Sequence, residues 1–136
     1  MPLSLGQDGL VTSDLDDLVA AYWRYARLAG SADRADRLAA SEWDWAKARV
    51  DEAVAAANPS TLDLLDALLR SEDGTPERVG VGPLEDLLTE HGADVAMAVA
   101  ERADADPLWR RAVAACRLDR EETARLPDLR GYLDQP

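Results

Sequence analysis

Gly82-Pro83-Leu84-Glu85-Asp86-Leu87-Leu88-Thr89-Glu90-His91-Gly92 decides the fold class, because its eleven residues read as a helix with a signal at each end. Pro83 suits a first helical position, and Gly92 suits the left-handed residue that follows a helix. Glu85 and Asp86 fall in the first turn, where carboxylates are favoured by the helix dipole.

The same grammar extends in both directions. Upstream, Ser13 caps a helix over residues 14–29 that ends at Gly30, with an apolar stripe through Leu15, Leu18, Val19 and Tyr22. Trp23 falls off that stripe. A second helix covers residues 32–57, capped by Ser31, free to kink near Ser41 and ended by Asn58-Pro59. Trp43 is read as core, whereas Trp45 falls about 110° from the centre of the inward face. Ser60 to Ser71 form a third helix with Leu62, Leu65, Leu68 and Leu69 inward. Thr75-Pro76 opens a short turn that Gly80-Val81-Gly82 breaks. Downstream of Gly92, residues 94–103 make a helix of small side chains, and Asp106-Pro107 opens another that carries Trp109 inward.

No strand emerges, and the loops are short. The expected fold is all-α: a single compact domain of about six antiparallel helices, with turns short enough to suit solenoid-like helix pairs as well. Residues 1–12 form an N-terminal arm, 13–118 the helical domain, and 119–136 a short helix and tail.

Composition bounds function by exclusion. The chain has 136 residues and a formal net charge of −12. Nucleic acid and anionic membranes repel such a surface, so neither is expected as a partner. No run approaches the roughly 20 apolar residues a membrane span needs, and the N-terminus lacks a basic leader, which points to a cytoplasmic protein. The lone Cys116 reads as a small buried hydrophobe. Charge is uneven: residues 58–106 hold twelve acids against three bases, so the middle of the chain is the part suited to a basic partner.

Glu42-x-x-x-Ala46 with Trp43 and Trp45, then Gly80-Val81-Gly82-Pro83-Leu84-Glu85-Asp86-Leu87-Leu88, His91-Gly92 and Asp106-Pro107-x-Trp109-Arg110-x-Ala112 form a recurring combination. Over roughly residues 14–115 it resembles an uncharacterised family of small bacterial helical proteins, a domain of unknown function. Its most specific element is Gly-x-Gly-Pro-Leu-Glu-Asp-Leu-Leu-x-x-His-Gly. The resemblance implies a helical fold and supplies no activity or site residues.

Chemistry has few candidates. His91 and Glu85 are the acid–base candidates, and Glu90 and Asp94 complete the only cluster around a histidine. The spacing opposes a metal site, because Leu88 and Leu87 stand three and four residues before His91, where a ligand pair would place a carboxylate. A histidine in the last turn of a helix is well explained by its interaction with the terminal carbonyls, and that is the preferred reading. For Glu85 and Asp86 the first-turn position makes capping the default reading. Gly80-Val81-Gly82 lacks the lysine and the preceding strand of a phosphate loop. No metal or cofactor is expected.

The leading expectation is a non-enzymatic interaction module, comparable to an immunity protein or antitoxin. Its acidic face would meet a basic partner through Trp45, Trp23, Glu85, Asp86, Glu90 and His91. The alternative is a small enzyme or ligand-binding protein with an aromatic-lined pocket between helices, formed by Trp45, Trp23 and His91. A homodimer through the same tryptophans is compatible with either.

Overall fold

The computed structural model describes residues 12–133 and is all-α, without strands among the described residues. In chain order the helices are α1 (Thr12–Ala29), α2 (Arg34–Ala39), α3 (Asp44–Ala56), α4 (Pro59–Arg70), α5 (Pro76–Val79), α6 (Glu85–Ala105), α7 (Pro107–Ala115), α8 (Arg120–Ala124) and α9 (Arg130–Leu133). Seven of these exceed four residues, one more than expected. The N-terminal arm (except Thr12) and residues 134–136 of the tail lie outside the described residues.

Local chemistry sets most boundaries. Asp33 caps α2 by accepting from the Ala35 amide at 2.9 Å, Thr75 caps α5 at 3.2 Å, and Asp106 caps α7 at 2.9 Å. Pro76 and Pro107 follow their caps at positions where a missing N–H costs nothing. Ser31 is not the cap of α2. Its hydroxyl accepts from the Asp33 amide and donates to Asp36, which holds the capping loop in place. The helix expected over residues 32–57 is interrupted by a 3-10 turn at Ala40–Trp43, around the anticipated kink. It ends where Ala57 turns left-handed at φ 51°, and the Ala53 carbonyl accepts both the Ala57 amide at 3.0 Å and the Thr61 hydroxyl at 2.7 Å.

The opening stretch departs from its reading at both ends. Gly80–Leu84 forms a π-helical turn that contains Pro83, with Gly82 alone outside helical geometry, and α6 begins at Glu85. Gly92 does not end the helix. α6 continues to Ala105 and bends at His91 (φ −134°, ψ 23°), so the two helices expected on either side of Gly92 are one bent element. Tertiary packing decides this. A Cβ on Gly92 would stand 2.7 Å from Leu126 Cδ2, so the glycine gives passage to a leucine that is only 3% exposed.

One hydrophobic core serves the whole domain, drawing on α1, α3, α4, α5, α6 and α7 as well as Leu126 and Leu129. Residues 119–133 are therefore built into the domain rather than appended to it. α1 meets α4 and α4 meets α7, elements far apart in sequence, so the helices close around a shared centre instead of stacking as neighbouring pairs. With no Phe or Ile in the chain, bulk comes from leucine and tryptophan. Trp109 is buried, its indole N–H donating to Asp66 at 2.9 Å and the Arg102 guanidinium lying 5.3 Å from its ring centre. Trp43 is partly buried beneath Arg24. Cys116 is buried, and its thiol donates to the Gly80 carbonyl.

Candidate functional site

The six residues singled out by sequence separate into three places. Trp23 belongs to the core. It is 3% exposed, packs edge-on against Tyr22 at 5.3 Å, and donates its indole N–H to the Leu68 carbonyl. The stripe of α1 is wide enough to bury both rings, and Gly74 lies so close to the indole that a Cβ there would fall 2.3 Å from it. Trp23 therefore offers no exposed contact face. Trp45 remains 44% exposed on α3.

His91 and Glu85 are held by backbone groups. The His91 imidazole meets the Ala55 carbonyl at 2.9 Å, so it caps the end of α3 rather than that of its own helix. Glu85 accepts from the Arg117 amide at 2.6 Å and approaches the Arg117 guanidinium at 3.5 Å. It ties the loop after α7 to α6 instead of reaching back to the start of its own helix. Neither contact presents a free acid–base group.

Asp86 and Glu90 are different. They lie one turn apart on the exposed side of α6, and neither makes an ion pair among the described residues. α6 packs against α3, on which Lys47 and Asp51 pair with each other at 2.6 Å. Burial pushes the Asp86 carboxyl above its usual 3.8, the Lys47 ammonium opposes this, and the carboxylates of Asp51, Glu90 and Glu85 add to the rise. One ammonium thus faces several carboxylates. On α1, burial pushes the Tyr22 phenol up to about 12, and the charges of Asp51 and Asp86 add to the rise.

Sequence reasoning missed Tyr22, Lys47 and Asp51 as members of this cluster. The Lys47–Asp51 pair was legible as an i,i+4 spacing, and Tyr22 stood in the stripe of α1. Their meeting with Asp86 depends on how α3 crosses α6, which no local pattern encodes.

No family model matches the chain, and comparison with curated proteins and with solved structures finds no match.

Several charges elsewhere are paired. Arg70 pairs with Asp66 and Asp106, Arg102 with Asp63, and Arg111 with Glu77 in a two-pronged contact at 2.8 and 2.9 Å. Trp45 faces a different side of α3 from Lys47. It stands two residues from Lys47, about 160° round α3 at roughly 100° per residue.

The cavities divide the aromatic residues. Trp23 borders a cavity of about 330 Å³ with Arg27, Glu72 and Arg78, and His91 borders one of about 210 Å³ with Glu122 and Arg125. These are two different cavities. Among the described residues no three His, Cys, Asp or Glu side chains are grouped to hold a metal ion. No helix among them is long and apolar enough to cross a membrane.

Proposed function

We propose that this protein is a non-enzymatic interaction module that engages a basic protein partner through the exposed side of α6 that carries Asp86 and Glu90, in the manner of an immunity protein or antitoxin. The observation that carries the reading is the unmatched charge of Asp86 and Glu90 beside the single Lys47–Asp51 pair, on a chain of net charge −12. Crowded carboxylates cost stability in the free protein, and a cationic surface would relieve that cost on binding. Complementary charge would also accelerate association and select against acidic competitors.

Glu85 and His91 enter this reading as supports, since each ties α6 to a backbone group of a neighbouring segment. Trp45 is an exposed aromatic on the other flank of α3, where a partner large enough to straddle that helix would reach it.

The test is capture from host lysate at low salt with the wild-type protein and with the Asp86→Lys, Glu90→Lys double variant. A stoichiometric basic protein, retained by wild type, released by salt and not retained by the variant, supports the proposal. Equal retention by both proteins, or capture of no basic protein, overturns it.

A further inference from the structure

Further along α6, an exposed carboxylate borders a cavity with apolar walls. Asp94 follows Glu90 by four residues, is exposed like it, and makes no ion pair among the described residues. It lines a cavity of about 260 Å³ between α6 and the corner where α3 passes into α4. Leu62, Leu87, Val95 and Ala98 supply apolar lining, and Arg102 lines the same cavity two turns, about 12 Å, along α6 from Asp94.

The two charged residues differ in what they still have to offer. Arg102 is already engaged, paired with Asp63 at 3.0 Å while its guanidinium lies 5.3 Å from the Trp109 ring centre. Asp94 has no such partner. A held cation at one end and an open carboxylate at the other give the cavity a direction, with a new cation accepted at the Asp94 end only.

The walls define the rest of the occupant. An apolar void of roughly 150 Å³ accommodates a benzene ring, so a space of about 260 Å³ admits the side chain of a phenylalanine. Binding energy at protein interfaces concentrates in large side chains seated in such pockets, with charges at the rim. Met97, 67% exposed and three residues beyond Asp94, adds adaptable apolar surface on that side of α6. We infer that the cavity receives an aromatic side chain of the basic partner, with an adjacent lysine or arginine of that partner meeting Asp94. This rests on the proposed function and deepens it by naming the anchor and its orientation.

The experiment is an amide-resolved NMR titration of the full chain with Nα-acetyl-phenylalanyl-lysine amide, its phenylalanyl-glutamate counterpart and its alanyl-lysine counterpart. The phenylalanyl-lysine probe should displace the Val95 and Ala98 amide signals saturably. The glutamate probe should bind at least about threefold more weakly and the alanyl probe at least about tenfold, the losses expected for an exposed charge pair and for a buried aromatic side chain. Ala98→Leu, which grows into the cavity, should abolish the displacement. Asp94→Asn removes no ion pair, so its urea unfolding should match wild type while its affinity for the phenylalanyl-lysine probe falls about threefold. Absence of saturable displacement, equal affinity for the phenylalanyl and alanyl probes, or unchanged affinity in Asp94→Asn would overturn the inference. Capture of a basic partner without probe binding would defeat this site and leave the partner reading standing. Probe binding without any captured basic protein would uphold the site and defeat the partner reading.

Discussion

The His91 imidazole and the Ala55 carbonyl meet at 2.9 Å, which ties the bend of α6 to the last turn of α3. The carbonyls of a final helical turn have no partner within the helix, and a side-chain N–H from a neighbouring helix satisfies one of them. His91→Ala should therefore lower stability by about 1 kcal/mol, the net value of one such bond. Urea unfolding checks this, and binding of the basic partner should change less than twofold. A large binding defect at unchanged stability would make His91 a contact residue instead.

Three glycines discriminate between packing and backbone freedom. A Cβ at Gly80 would stand 2.1 Å from the Ala112 carbonyl oxygen, and one at Gly74 would stand 2.3 Å from the Trp23 indole. Backbone and a buried ring cannot move aside cheaply, so Gly80→Ala and Gly74→Ala should each cost at least about 2 kcal/mol. Gly92→Ala meets only the end of the Leu126 side chain. Its strain is offset by the roughly 1 kcal/mol that alanine gains over glycine within a helix. The first two variants should unfold at clearly lower urea, and the third near wild type.

Alkaline stability follows from Tyr22. Its phenol is pushed from 10.0 up to about 12 in the folded protein. A raised folded value means that the unfolded chain releases this proton first. Stability is then complete below pH 10 and is lost as pH rises from 10 to 12, by up to about 3 kcal/mol. Cys116, raised from 9.0 to about 12 by burial, acts in the same direction and from a lower starting pH. Tyr22→Phe should keep more of its stability at pH 11 than wild type does, measured by denaturant unfolding across that range.

Asp86 should cost stability where it serves binding. Its folded value is raised, so its contribution falls as pH rises through the carboxylate range, and the charged form is the unfavourable one at pH 7. Asp86→Asn should stabilise the free protein by roughly 0.3 kcal/mol, a small figure because the group is exposed to screening. The gain should vanish below pH 4. Destabilisation by this variant would show that Asp86 is held by the fold, contrary to its place in the account.

Much of the fold was legible because helix ends carry local chemistry. Thr75-Pro76, Asn58-Pro59 and Asp106-Pro107 marked boundaries the structure retains, since caps and proline act within a turn of where they stand. Gly92 misled for the opposite reason. Its local signal says stop, and only the arrival of Leu126 from 34 residues further along explains a glycine inside a helix. Trp23 misled similarly, because α1 is covered on more than its main stripe by the Leu68–Gly74 segment. The candidate site was half legible: Asp86 and Glu90 were named, whereas Tyr22, Lys47 and Asp51 join them through the α3–α6 crossing.

The most direct test of the central claim is the association rate of the captured basic partner, measured at about 50 and 200 mM salt for wild type and for the Asp86→Lys, Glu90→Lys variant. The account predicts that wild-type association slows by about tenfold between the two conditions, as expected for charge-steered encounter. The variant should be slow in both. Equal rates for wild type and variant at low salt would contradict the acidic side of α6 as the contact surface.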